Sequence, residues 1–330
     1  MFWMTSEILI ETRDGRTAMV KPNSVTWKTD CGNYCDSCTI VLPLYPYLQT
    51  SEEGTEMISG ESRCIFAVGG KVSVSLGYDG NNTKRFWGYV AIIDYDTTLI
   101  LQCEGYFHQI KHKRYTKSWS SVSLKTFLRY ITEGTSITLS NDIPDIPLGD
   151  VTLTDATADK IFSWLKSDFQ LCIFFKGAEL YAGAYAYGKE GDTHKLRIGW
   201  NVKTNNLKIQ PQKTEVQVNL VVKDDGGKKT TTKGRQNGSD TVKNVNIKAG
   251  LPDYFKKAVL ERLQQETNTG GRLEGSVTCF LTPTFNIGDV ASIENTKYPE
   301  RNGNFFVTAI SGSYGSTGGT QQLTLKYYGR

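Results

Sequence analysis

Lys71-Val-Ser-Val-Ser-Leu-Gly77, Arg85-Phe-Trp-Gly-Tyr-Val-Ala-Ile-Ile-Asp94 and Thr98-Leu-Ile-Leu-Gln-Cys-Glu-Gly-Tyr106 read as three strands joined by two turns. Val72, Val74 and Leu76 alternate with polar neighbours, the period of a strand with one wet face. Asp79-Gly-Asn-Asn82 supplies residues that tolerate positive φ, so the chain can reverse there. Phe86 to Ile93 alternates less cleanly and predicts a strand covered on both faces. The same order returns in Asp289-Val-Ala-Ser-Ile-Glu294, Asn304-Phe-Phe-Val-Thr-Ala-Ile-Ser311 and Gln321-Gln-Leu-Thr-Leu-Lys-Tyr-Tyr-Gly329. Each copy has a short strand after a glycine, an aromatic-led strand and a closing strand. The repeat lies in pattern and order, since few letters match.

Working outward, Glu7–Glu11, a turn at Asp14-Gly15, Ser24–Lys28 and Thr39–Pro43 predict further strands before the first copy, with 44–63 as a loop. The middle changes period. Leu124, Phe127, Leu128 and Ile131 fall at i, i+3, i+4 and i+7, so 122–133 is predicted helical, capped by Ser121 or Ser123 and stopped by Gly134. Ala158, Ile161, Phe162 and Leu165 predict a second helix over about 156–167. Residues 140–151 read as a loop, Leu171–Phe175 as a buried strand and Asp224–Lys229 as a tip. Pro252 opens a third helix, striped by Phe255, Val259 and Leu263. The expected class is α+β, mainly β: two related small β-barrel domains separated by an α/β domain. The expected divisions are 1–106, 107–206 and 207–330, the last carrying an inserted helix at about 252–268. Closure into barrels would remove exposed sheet edges.

At 330 residues the chain is long enough for two or three domains, and a net charge of +4 is too small to argue for nucleic acid. No apolar run reaches membrane-spanning length, and the start lacks a secretory pattern. Seven cysteines in a chain of this size favour reduced thiols in a cytosolic product over a disulfide framework.

Chemistry-bearing constellations are few. Cys31, Cys35 and Cys38, with Cys64, have the one metal-like spacing and could make a four-thiolate zinc site; the competing reading is thiols at a strand edge, and no metal is assigned. His108 and His112 are four apart, but no glutamate base lies between them and Lys111, Lys113, Arg114 and Lys117 would repel a cation. That basic stretch reads as a solvated strand without an aromatic platform. Gly312–Gly319 is glycine-rich but leads into a strand, so it reads as a hairpin tip. Asp142, Asp145 and Asp150 are loop carboxylates without an evident partner. No catalytic residue and no cofactor is assigned, and the chain is not expected to be an enzyme.

Ser24-Val-Thr-Trp27, Cys38-Thr-Ile-Val-Leu-Pro43, Gly77-Tyr78, Phe86-Trp-Gly-Tyr-Val90, Leu101-Gln-Cys-Glu104 and Trp119–Leu124 follow in one order. Gly275, Pro283, Ile287-Gly-Asp289 and Asn302-Gly-Asn-Phe305 continue it. That order resembles the baseplate hub proteins of phage tails, the late control D family and its type VI secretion relative VgrG. The departures are the cysteine-rich 31–38 segment and the lack of an appended lysozyme or needle domain.

The resemblance implies a structural hub in the virion tail baseplate, assembled in the host cytoplasm. It implies a homotrimer whose six barrels form a pseudo-hexameric ring between a six-fold tail tube protein and a three-fold central spike protein. Tape-measure and baseplate wedge proteins are further partners it implies, with DNA or other cargo passing the lumen without specific binding. Trp87, Tyr89, Phe305 and Tyr327 are the candidate interface aromatics, with ordinary barrel core as the competing reading. A cell-envelope carbohydrate-binding or hydrolytic β-protein of the same kind of system is the alternative. A barrel binding single-stranded nucleic acid is a third reading.

Overall fold

The computed structural model describes residues 3–44, 49–50, 65–185, 191–211, 215–223, 229–234 and 241–327. Strands account for 55% of it and helices for 15%, so the mainly-β expectation holds. The chain opens with β1 (Met4–Glu11), β2 (Thr17–Val20), β3 (Ser24–Asp30), β4 (Ser37–Pro43), β5 (Gln49–Thr50), β6 (Lys71–Tyr78), β7 (Asn81–Tyr95) and β8 (Thr98–Glu104). It continues through α1 (His108–Lys111), β9 (Arg114–Ser123), α2 (Leu124–Ile131), β10 (Thr138–Leu139), β11 (Pro147–Thr157), α3 (Ala158–Phe169), β12 (Cys172–Lys176) and β13 (Glu179–Gly183). Then come β14 (Thr193–Arg197), β15 (Val202–Asn205), β16 (Lys208–Ile209), β17 (Val216–Lys223), β18 (Lys229–Lys233), β19 (Thr241–Lys248) and α4 (Asp253–Thr267). The last strands are β20 (Leu273–Cys279), β21 (Val290–Glu294), β22 (Gly303–Gly315) and β23 (Gly318–Tyr327).

The repeat is visible in the pairing. The first module runs β1-β6-β7-β8-β4-β3, and the second runs β14-β21-β22-β23-β20-β15. Numbered along the chain within each set, both orders are 1-4-5-6-3-2. They differ in one sense: β1 and β6 are antiparallel, whereas β14 and β21 are parallel. The likeness extends to single residues. Val90 exchanges backbone bonds with Gly69 and Gly70, and Val307 does so with Gly288 and Asp289. Gly69 and Gly288 share a left-handed φ of 88° and 89°, which a side chain would oppose. One residue later each long strand bulges, at Ala91 in β7 and Thr308 in β22.

The bulge in β22 divides one of its edges between two partners. Before it, Gly303–Phe306 pair with β21; after it, Ala309–Gly315 pair with β3. The β22–β3 ladder therefore fuses both modules into one continuous sheet.

Three cores result. The first packs Ile8, Val25, Trp27, Ile40, Val74 and Leu101 inside the N-terminal module. The second lies under α2 and α3, where Leu124, Phe127, Leu128, Ile131, Phe162 and Leu165 give each helix one apolar stripe. Ser123 caps α2 by accepting the Thr126 N–H, and α3 stops at Gln170 in the left-handed region. The third packs Leu196, Val277, Phe305, Val307 and Leu323 inside the C-terminal module.

These cores divide the chain differently from the expected boundaries. Leu220, Ile247, Phe255 and Val259 belong to the middle core, so β17, β19 and α4 complete the α/β body instead of the second barrel. Conversely, β14 and β15 belong by pairing to the C-terminal module. The middle body is thus made from two separated stretches, which no local pattern announces. Two further differences are local. The 140–151 segment is not all loop, because β11 starts at Pro147 and pairs with β9. The stretch at 108–111 is one helical turn, held where Glu104 takes His108 Nδ1 at 3.1 Å and Lys111 Nζ at 2.6 Å. The 44–63 loop and the 224–229 tip lie largely outside the described residues.

Candidate assembly site

The β3–β22 ladder is the feature from which a larger assembly can be reasoned. Gly312 stands opposite Trp27 in its register. The buried indole lies where a Gly312 side chain would go, so an added Cβ would come within 2.0 Å of Trp27 Cζ2. A second tie runs through Arg85 of β7. Its guanidinium donates to the Leu281 carbonyl and to Gln321 Oε1, the latter at 3.3 Å. Gln321 in turn donates to the carbonyls of Phe280 (2.9 Å) and Pro283 (2.6 Å). Burial draws Arg85 down to about 10. Leu281 itself packs into the N-terminal core.

A cavity of about 380 Å³ sits where the three bodies meet, lined by Trp27, Asp36, Arg85, Trp87, Phe175 and Asp289 among others. Desolvation pushes the Asp36 carboxyl up to about 7, against a lowering hydrogen bond with Thr29. Asp289, also raised by burial, faces His194 at 3.7 Å and accepts the Asn286 N–H at 2.7 Å.

The four candidate interface aromatics have different fates. Phe305 is 0% exposed and belongs to the C-terminal core, which corrects its assignment to a surface: it points inward from β22 with Val307. Trp87 and Tyr89 are half-buried and join bodies within the chain. Trp87 lies over Gly177 in the β12–β13 turn, and Lys84 Nζ stands 5.4 Å from its ring. The Tyr89 ring stacks on His108 at 5.6 Å, and its hydroxyl accepts from Gln109 Nε2 at 2.7 Å. The side chain of Tyr327 lies outside the described residues. Exposed apolar groups stand elsewhere: Ile92, Tyr95, Trp200 and Ile209. Phe86–Ile93 was expected to be covered on both faces; at its end Ile92 is instead 52% exposed, because no strand flanks β7 there on the side away from β8 among the described residues.

The cysteine run diverges. Cys38 is in the N-terminal core opposite Cys103, Cys35 packs on the middle core and Cys31 on the C-terminal core. Three thiols entering three interiors cannot share one ion in this arrangement, and Cys64 lies outside the described residues. Among the described residues no cluster of three or more metal-ligating side chains forms. Burial raises Cys31, Cys35 and Cys103 to about 12, so they are protonated thiols at neutral pH.

The basic stretch is taken up locally. Lys113 Nζ donates to the Glu133 carbonyl at 3.0 Å, Arg114 pairs with Asp155 at 3.4 Å, and Lys117 lies 4.6 Å from the Tyr130 ring. It does have aromatic neighbours, Trp119 and Tyr130, but they pack edge to face against one another. Asp142, Asp145 and Asp150 are exposed. Gly312–Gly319 is the tip of the β22–β23 hairpin, as expected.

Comparison with solved structures follows the same architecture. The 43 kDa tail protein of prophage MuSo2 from Shewanella oneidensis matches with a TM-score of 0.63 at 12% identity, over 98% of both chains. A tail protein from Neisseria meningitidis MC58 matches at 0.64 and 11% identity, over 98% of this chain and 96% of that one. This chain has the fold of these tail proteins. A component of the E. coli type VI secretion system, itself similar to T4 bacteriophage tail proteins, matches at 0.58 and 10% identity, over 97% of this chain and 77% of that one. The resemblance read from the residues is thus matched by the fold. No family model and no curated sequence matches the chain.

Proposed function

We propose that the protein is a structural hub of a phage tail or phage-like injection machine, without catalytic activity of its own. In this reading it is a homotrimer in which six β-modules make a pseudo-hexameric ring, with a six-fold tail tube on one side and a three-fold central spike on the other. Tape-measure and wedge proteins would meet its periphery, and DNA or cargo would pass its lumen. It would act in the virion tail, after assembly in the host cytoplasm.

One observation carries the reading. Two modules of the same strand order are fused edge to edge, through β3 and β22, within one chain. A head-to-tail junction that repeats between chains closes into a ring when the rotation closes. Two modules per chain then give a ring twice the symmetry of the trimer, which is what joining a six-fold tube to a three-fold spike requires. The fold of the tail proteins supports the same role.

The test is mass in solution. Light scattering on the purified chain is expected to give the mass of three copies of 36.8 kDa. A one-chain mass at every concentration would remove the ring.

A further inference from the structure

The in-chain junction prescribes a junction between chains. We infer that the edge of β7 beyond its bulge pairs antiparallel with the β15–β16 edge of a second copy, in the register that β22 uses on β3. This rests on the ring reading above and names the strands that would close it.

The alignment comes from internal equivalence. Ala91 and Thr308 are matching bulges, so Ile92, Ile93 and Asp94 stand where Ala309, Ile310 and Ser311 stand. On the other side, Leu101 pairs with Ile40 and Ile40 with Val25; Leu323 pairs with Val277 and Val277 with Asn205. Leu101 and Leu323 are each one step past the first pair beyond the bulge, so Asn205 is the counterpart of Val25. Three residues on, Lys208 then matches Lys28. The ladders agree: Lys28 pairs with Ser37 and Lys208 with Glu274, both three residues before Ile40 and Val277 respectively.

The in-chain pairs Ser311–Lys28, Ile310–Thr29 and Ala309–Asp30 become Asp94–Lys208, Ile93–Ile209 and Ile92–Gln210 between copies. This register sets an acid against a base and an isoleucine against an isoleucine. Opposed charges and apolar pairs are the stabilising cross-strand combinations.

The surfaces fit that occupant. Ile92 is 52% exposed and Ile209 58% exposed. Asp94 and Lys208 are exposed as well. Among the described residues no strand pairs with β7 at Ile92–Asp94 except β8, and none with β16 except β20. An open strand edge carrying isoleucine is a template for pairing with another chain. Ile93 borders the N-terminal core, and Leu273 beside Ile209 belongs to the C-terminal one. Their meeting would make one interior run from copy to copy, as it does within the chain.

The deciding experiment is a disulfide trap. With Ile93→Cys and Ile209→Cys in one chain, mild oxidation is expected to give a covalent multimer ladder on a non-reducing gel. Either substitution alone is expected to give none. A double variant that assembles to wild-type mass but forms no ladder overturns the pairing and leaves the ring reading standing. A wild-type chain of one-chain mass removes both. Should the cysteines themselves block assembly, Asp94→Lys reads the same contact. It is expected to lower the mass to one chain by facing Lys208, and an unchanged mass overturns the pairing.

Discussion

Gly312→Val is expected to destabilise the protein by about 3 kcal/mol or more and to abolish assembly. The added side chain would occupy the place of the Trp27 ring, with its Cβ only 2.0 Å from Cζ2. Overpacking a filled core costs about 1–3 kcal/mol, and here the obstruction is a buried indole in a sheet junction, so the upper end applies. Trp27 cannot step aside, because it is 4% exposed and bounded by the N-terminal core. A double-mutant cycle checks the cause. Trp27→Ala alone is expected to cost about 3–5 kcal/mol. Combined with Gly312→Ala, it should cost less than the sum of the single changes, because the alanine fills space the indole has left. Additive denaturant midpoints would show that the two residues do not compete.

Asp36→Asn is expected to raise stability above pH 7 and leave it nearly unchanged at pH 4. Asp36 ionises near 3.8 when unfolded and near 7 in the cavity, where desolvation disfavours the charge. A raised folded value means stability is full below about pH 4, falls as the unfolded chain ionises, and levels off past pH 7. At about 1.36 kcal/mol per unit, the loss across that window is up to about 4 kcal/mol. Asparagine can keep the contact with Thr29 and has no charge to bury. Urea midpoints of both proteins at pH 4, 6 and 8 measure the difference. Parallel curves would show that the Asp36 carboxyl is solvated.

Much of the fold could be read from local pattern. Several strands, β6 most plainly, showed in period-2 alternation, and α2 and α3 in the spacing of Leu124, Phe127 and Leu128 and of Ala158, Ile161 and Phe162, whereas β14 and β15 of the second module left no such mark. What could not be read was long-range. Nothing in Val216–Lys223 says that Leu220 joins a core begun about a hundred residues earlier, while Val202 joins one completed by β22 and β23. Alternation marks a buried face but not its partner. Phe305 was misplaced for a related reason. Phe305 and Ile92 both sit in apolar strand segments, and only the tertiary pairing tells a side chain covered by its own chain from one left open.

The β3–β22 junction also sets a timetable. Ser24–Asp30 leaves the ribosome early, and the strand that covers it, Gly303–Gly315, is among the last to emerge. At about 5–20 residues per second the wait is on the order of tens of seconds. Throughout it the nascent N-terminal module holds an uncovered margin beside Trp27. Neighbouring nascent chains on one message could capture it before its own C-terminus arrives, so slowed translation should favour strand-exchanged products over correctly closed ones.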